Sequence, residues 1–310
     1  MTAIKPRARL IIDNDFSGDP DGLFQLVHHV LSPSLDIRLV VGSHLGAVPG
    51  WDPGPDSAGQ AAALVQEWLA LLDRPDIPVL AGSNTPMAAP DAPAVTAAAQ
   101  ALVAEAMRDD TDLPLYVGLG GSLTTLASAY RLEPAIAGRL TAIWIGGPEY
   151  HGYPAPPGSA ATEYNLSADI AAAQVVFASD LPLWQIPRKT YRQLLVGTVE
   201  LEAKVRPLGE VGRRLCATLD HFAELGLPRA EVYCLGDSGL VAVTALQTLF
   251  EADAAACDWE YQPAPTIDAT GNYAAPASGA RDIRVFTWLD TRLLFEDMYA
   301  KLAALAALKP

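Results

Sequence analysis

Leu10-Ile11-Ile12-Asp13-Asn14-Asp15-Phe16-Ser17-Gly18-Asp19-Pro20-Asp21-Gly22 sets four carboxylates within nine residues, directly after a short apolar run. The apolar triplet reads as a strand. The Gly, Pro and Ser residues read as a turn, and the following Leu23-Phe24-Gln25-Leu26-Val27-His28-His29-Val30-Leu31 reads as a helix. A strand–loop–helix unit of this kind places its loop at the carboxyl end of the strand, where open α/β sheets bind ligands. Four like charges so close raise one another's pKa unless a proton or a cation intervenes. A hard, oxygen-seeking ion such as Ca²⁺ is the expected neutraliser.

Three other readings compete for the same loop. A solvated acidic turn has this composition too. An EF-hand matches at its first, third, fifth, sixth, seventh and ninth positions. It fails at the twelfth, which is Phe24 rather than a bidentate Glu, and its preceding element is a strand rather than a helix. An Asp nucleophile of the phosphatase D-x-D kind stays as a minor alternative, with Lys189 its mid-chain Lys.

At 310 residues the chain can bury a large core, and no Pro-, Gly- or charge-rich linker divides it, so a single domain over 1–310 is expected. No apolar stretch is long enough to span a bilayer, and Met1 to Arg7 lack a secretory h-region, which points to a soluble, cytoplasmic protein without membrane contact. Cys216, Cys234 and Cys257 are odd in number and lack metal-ligand spacing, as suits reduced thiols. The formal net charge of −15 repels phosphate backbones, so nucleic acid is not the expected partner. A small neutral or cationic molecule fits better.

Short apolar runs alternate with Ala/Leu-rich helical segments, the pattern of a mostly parallel, doubly wound, Rossmann-like α/β sheet with helices on both faces. Strands are expected at Ile37–Val41, Ile77–Leu80, Leu115–Leu119, Ala142–Ile145, Leu183–Ile186 and Arg284–Asp290. Helices are expected over Gln60–Leu72, Ala94–Met107, Leu126–Arg131, Ala168–Phe177, Val199–Leu227 and Leu240–Phe250, with a closing helix to Leu308. The loop from Gly42 to Ser57 is long and holds His44 and Trp51; loops of this length are often functional.

Taken in order, these pieces resemble the inosine-uridine preferring nucleoside hydrolase family over most of the chain. The family's Asp-rich loop is matched by Asp13, Asp15, Asp19 and Asp21. Its Gly-Pro-Leu-Thr-Asn turn is echoed by Gly121-Ser122-Leu123-Thr124-Thr125. Its Met-Gly-Gly strand end, Glu-Phe-Asn and Asp-Pro-Glu-Ala-Ala are echoed by Ile145-Gly146-Gly147, Glu163-Tyr164-Asn165 and Asp169-Ile170-Ala171-Ala172-Ala173. Its late His-Asp is echoed by Gly236-Asp237.

The resemblance implies hydrolysis of the N-glycosidic bond of a ribonucleoside or related N-riboside. It implies Ca²⁺ held by Asp15, Asp19, Asp21, the Thr124 carbonyl and Asp237, with Asp15 as general base. It also implies sugar contacts from Asp13, Glu163 and Asn165, and a homodimer or homotetramer. Carboxylates suit an oxocarbenium-like transition state. Two departures stand out: the family's adjacent Asp pair is broken at Asp19-Pro20-Asp21-Gly22, and the His before the late Asp is Gly236. His44 is the expected substitute for that leaving-group acid, and Trp51 and Trp259 are expected to stack on the base. Base contacts are expected from the loops 42–57 and 259–273. His28 and His29 read as structural. A non-catalytic ribose- or nucleoside-binding protein of the same fold is the alternative, in which the two departures record lost chemistry.

Overall fold

The computed structural model describes residues 4–47, 52–150, 153–158, 162–224, 230–248 and 256–308. The chain runs through β1 (Ala8–Asn14), α1 (Asp21–Val30), β2 (Leu35–Gly42), α2 (Ser57–Leu71), β3 (Val79–Ala81), α3 (Ala97–Ala106), β4 (Leu115–Leu119), α4 (Thr124–Leu132), β5 (Leu140–Ile145), α5 (Tyr164–Ala168) and α6 (Ile170–Ala178). It continues through β6 (Leu183–Ile186), α7 (Arg188–Tyr191), β7 (Leu195–Gly197), α8 (Thr198–Lys204), α9 (Gly209–Glu224), β8 (Val232–Cys234), α10 (Gly239–Thr244), β9 (Cys257–Pro263), β10 (Thr266–Ile267), β11 (Tyr273–Ala274), β12 (Asp282–Leu289) and α11 (Thr291–Leu308).

Eight strands form one sheet in the order β3-β2-β1-β4-β5-β6-β12-β9, parallel except for the β12–β9 pair. The apolar run of β1 is explained by its place between β2 and β4 with both faces covered. Side chains alternate across a strand, so Leu10 and Ile12 join the apolar layer beneath α1, α2, α9 and α11, while Ile11 joins the layer beneath α3, α4 and α6. The chain winds outward one way through β1, β2 and β3 and the other way through β4, β5 and β6. The reversal leaves a crevice at the carboxyl ends of β1 and β4, where the acidic loop and the Gly120–Ser122 turn emerge. The Gly120 N–H donates to the Asp13 carbonyl at 2.9 Å and ties the two exits together.

Three expected elements differ. The helix over Val199–Leu227 is interrupted between α8 and α9, where Pro207 cannot donate a backbone hydrogen bond. The helix from Leu240 is short and ends at Thr244, and residues 249–255 lie outside the described ones. The 259–273 segment, expected as a loop, contains most of the edge strand β9 and most of the β10–β11 hairpin. Among the described residues no helix is long and apolar enough to cross a membrane. Cys216, Cys234 and Cys257 are free thiols.

Candidate active site

A cavity of about 1190 Å³ opens over this crevice, and Asp15, Asp19, Asp21, Glu163, Asn165 and Asp237 all line it. Three stretches of chain bring them there. Asp15 and Asp19 leave β1, Asp21 opens α1, Glu163 caps α5, Asn165 lies in that helix, and Asp237 sits in a 3-10 turn ahead of α10.

The carboxylates face one another. Burial pushes Asp15 well above the ordinary carboxylate range, and the charges of Asp237, Asp19 and Asp13 push it further. Asp21 is raised in the same way, by desolvation first and then by Asp237, Asp19 and Asp15. Asp237 is raised to about 7, chiefly by burial. The donors that meet these groups are neutral: Asn14 Nδ2 reaches Asp237 Oδ2 at 2.8 Å, the Asp237 N–H reaches Asp21 Oδ2 at 3.0 Å, and the Tyr233 hydroxyl donates to Asp19 at the cavity mouth. Among the described residues no ion pair involves any of the four. No group of three His, Cys, Asp or Glu side chains among them has the spacing of a formed metal centre. The donor chemistry nevertheless fits a hard cation, because oxygen ligands of uncompensated negative charge are what such an ion takes.

Glu163 is held on both oxygens. Its Oε2 accepts the N–H groups of Gly147 at 2.7 Å and Leu166 at 3.0 Å, and its Oε1 accepts the Tyr191 hydroxyl at 2.9 Å. Gly147 can present its N–H there because it adopts φ +86°, and a side chain would collide with Tyr273 and Gln185. Asn165 donates both amide hydrogens, to the carbonyls of Gly120 at 2.9 Å and Ile145 at 2.8 Å. Its Oδ1 is therefore the atom left for a ligand. Both residues offer acceptors, which suits the hydroxyl donors of a sugar.

Other expected site residues fall elsewhere. Asp13 is buried behind the cavity wall and accepts the Ser43 hydroxyl, and burial raises its carboxyl to about 6. Thr124 opens α4, is 2 % exposed, does not line the cavity, and turns its hydroxyl onto Asp169 Oδ2 at 2.6 Å. His44 is not brought to the cavity: it is 1 % exposed, and its Nε2 lies 3.0 Å from Thr124 Oγ1 and 3.3 Å from Ser122 Oγ. Trp259 stands on the outer edge strand, 41 % exposed, with the Arg284 guanidinium 4.1 Å from its ring centre, and does not line the cavity. Trp51 lies outside the described residues. The lining also contains residues that carry no motif: Tyr191 from α7, Trp68 from α2, and Arg214, Thr218 and His221 from α9. The one available signal for α9 was its amphipathic spacing, which says that a face is buried and not what it faces.

A doubly wound sheet whose switch-point cavity combines carboxylates with further oxygen acceptors defines an α/β protein with a polar ligand site at the carboxyl ends of its strands. Residues 10–296 match the family model of the inosine-uridine preferring nucleoside hydrolases. The chain belongs to that family and is an N-ribosyl hydrolase by membership. A search of curated proteins returned no match. Among solved structures, a purine-preferring ribonucleoside hydrolase from Gardnerella vaginalis is similar at 18 % identity and a TM-score of 0.75, with 97 % of this chain and 99 % of that one covered. A plant nucleoside hydrolase is similar at 18 % identity and a TM-score of 0.71, covering 96 % and 100 %. An inosine-uridine preferring nucleoside hydrolase from Bacillus anthracis is similar at 15 % identity and a TM-score of 0.64, covering 96 % and 99 %. At these identities the structural likeness speaks for the fold.

Proposed function

We propose that this chain, folded as one unit, cleaves a ribonucleoside or related N-riboside to ribose and free base in the cavity above β1 and β4. The observation that carries the reading is the convergence of Asp15, Asp19, Asp21 and Asp237 with Glu163 and Asn165 around one space. Asp15, Asp19, Asp21, Asp237 and the Thr124 carbonyl would hold Ca²⁺. When bound, that ion supplies Lewis acidity towards water and a fixed charge against sugar oxygens. Asp15 takes the proton of the attacking water, a role its place in the cavity lining among the other carboxylates supports. Glu163 and Asn165 accept hydroxyl hydrogens of the ribose, and the carboxylate field favours the positive charge that develops on the sugar as the base leaves. Asp13 acts from behind, through the loop it anchors.

A cytoplasmic homo-oligomer is the setting this reading expects. Its test is release of free ribose from purine, pyrimidine and nicotinamide ribosides, with Ca²⁺ and with chelator. Turnover abolished by chelator and restored by Ca²⁺ is the expected result. Binding of ribosides without turnover by the Ca²⁺-loaded protein would favour the non-catalytic alternative.

A further inference from the structure

Asn14 lies between Asp13 and Asp15 at the end of β1 and carries no role in the reaction proposed above. It is fully buried, and three hydrogen bonds fix its amide. Its Oδ1 accepts the Asp15 N–H at 2.8 Å, while its Nδ2 donates to Asp237 Oδ2 at 2.8 Å and to Gln25 Oε1 at 3.3 Å. Gln25 then turns its Nε2 to His29 Nδ1, and His29 Nε2 lies 2.9 Å from Thr244 Oγ1.

The direction of every bond in this chain follows from its far end. Thr244 spends its one hydroxyl hydrogen on the Leu240 carbonyl at 2.6 Å, so its oxygen accepts from His29 Nε2–H. In a neutral imidazole Nδ1 is then the bare acceptor. Gln25 must meet it with N–H and show its carbonyl to Asn14. Asn14 in turn must show its NH₂ to Gln25 and Asp237. Burial holds His29 well below the ordinary histidine range, in keeping with the neutral form. Gln25 and His29 are fully buried and Thr244 is 2 % exposed, so water does not compete for these bonds.

Two glycines make room for the amide. A Cβ on Gly120 would stand 2.4 Å from Asn14 Nδ2, and a Cβ on Gly22 would stand 3.0 Å from that atom and 3.4 Å from Asp237 Oδ2. Gly22 closes the stretch Asp19-Pro20-Asp21-Gly22 in which the acidic pair is broken. The space above it is occupied by the Asn14–Asp237 contact.

We propose that Asn14, Gln25, His29 and Thr244 are positioning residues that orient Asp237 from behind, and that Gly22 is the opening through which Asn14 reaches it. The inference rests on Asp237 being a Ca²⁺ ligand. Partners that orient metal ligands typically change metal affinity by roughly 10- to 100-fold when removed.

The test is calcium binding to the metal-free full-length chain by titration calorimetry, with a thermal melt in chelator alongside. Gln25→Leu and His29→Leu are expected to weaken Ca²⁺ binding at least tenfold, and His29→Asn, which keeps an acceptor near the Nδ1 position, to recover most of it. Gly22→Ala favours the helix and disturbs only the contact above it, so it is expected to melt no lower than wild type yet bind Ca²⁺ more weakly. This variant decides the matter if the buried substitutions do not fold. Wild-type affinity in Gly22→Ala and in the folded Gln25 and His29 variants would overturn the network while leaving the metal reading standing. A wild-type chain that does not bind Ca²⁺ would overturn both.

Discussion

Replacing Asp237 by Asn should make the metal-free protein more stable, although it removes a residue the site needs. The carboxyl is buried and its pKa is raised from 3.8 to about 7, so it resists ionisation in the fold far more than in the unfolded chain. At about 1.4 kcal/mol per pKa unit, ionising it at pH 8 costs the folded state on the order of 4 kcal/mol, less whatever relaxation its neighbours allow. An amide in its place keeps an acceptor for Asn14 Nδ2 and sheds the charge. Between pH 4 and 7 the folded state holds a proton at this position that the unfolded state has released. Wild-type stability in chelator is therefore fully present below pH 4 and falls as the pH rises through about 7. Thermal melts in chelator at pH 5 and pH 8 read the effect. The variant should gain several degrees on wild type at pH 8 and little at pH 5, using roughly 2–4 °C per kcal/mol for domains somewhat smaller than this one. With Ca²⁺ added the gap should narrow by more than half, since saturation to 100 Kd adds about 2.7 kcal/mol to the binder alone. A variant that melts below wild type in chelator at pH 8 would refute the reasoning, because the carboxylate would then be making a net favourable contact with the protein itself.

Asp15→Asn should retain the fold and lose at least roughly 10²- to 10⁴-fold in kcat, the usual range for a general base, and wild-type turnover in ribose release would remove Asp15 from that role. Tyr191→Phe deletes the hydroxyl on Glu163 Oε1 while keeping the ring, so steady-state kinetics should show KM for the riboside raised several-fold with kcat changed less; an unchanged KM would show that Glu163 needs no such support. His29, lowered chiefly by burial and then by His28 and Lys301, contributes stability that is present above pH 6.5 and lost as the pH falls below it. His29→Asn should flatten the acid limb of the stability curve by up to about 1.4 kcal/mol per pH unit, and denaturant titrations at pH 5 and 7 that show equal slopes in both proteins would contradict it.

The parts of the fold that were legible share one physical cause. Strands buried on both faces, such as Leu115–Leu119 and Leu183–Ile186, are mostly apolar, with Gln185 the one polar side chain in the second, and their limits match the expected ones residue for residue. β9 escaped because an antiparallel edge strand need not be apolar: Asp258, Trp259, Glu260 and Tyr261 are all exposed, and a solvent-facing run of this composition resembles a loop. The carboxylates of the acidic loop announced themselves by crowding. His44 did not announce its direction. A single imidazole in a long loop carries no periodicity, and its orientation onto Thr124 is decided by chain 80 residues away. Asn14 was hidden for the same reason, since its partners Gln25 and Asp237 lie 11 and 223 residues on.

The two departures from the family pattern have different physical meanings. At Gly236 the missing side chain is compensated sterically: a Cβ there would stand 3.2 Å from Tyr191 Cδ2, so the Tyr191 ring covers this glycine and its hydroxyl serves Glu163 rather than a departing base. Within the broken stretch Asp19-Pro20-Asp21-Gly22, the small residue at Gly22 has an electrostatic consequence. A further carboxylate beginning within 3.4 Å of Asp237 Oδ2 would add a repulsive charge to a group already raised to about 7, whereas Asn14 brings an N–H donor to the same place. A neutral donor at this place, in contrast to a charge, keeps down the repulsion that the metal-free fold must withstand. It also lowers the negative charge available to a cation, so affinity then depends more heavily on how well the remaining carboxylates are aimed. A site with fewer charges and a more rigid support is the physical consequence, and it explains why a buried chain of amides and an imidazole stands behind Asp237.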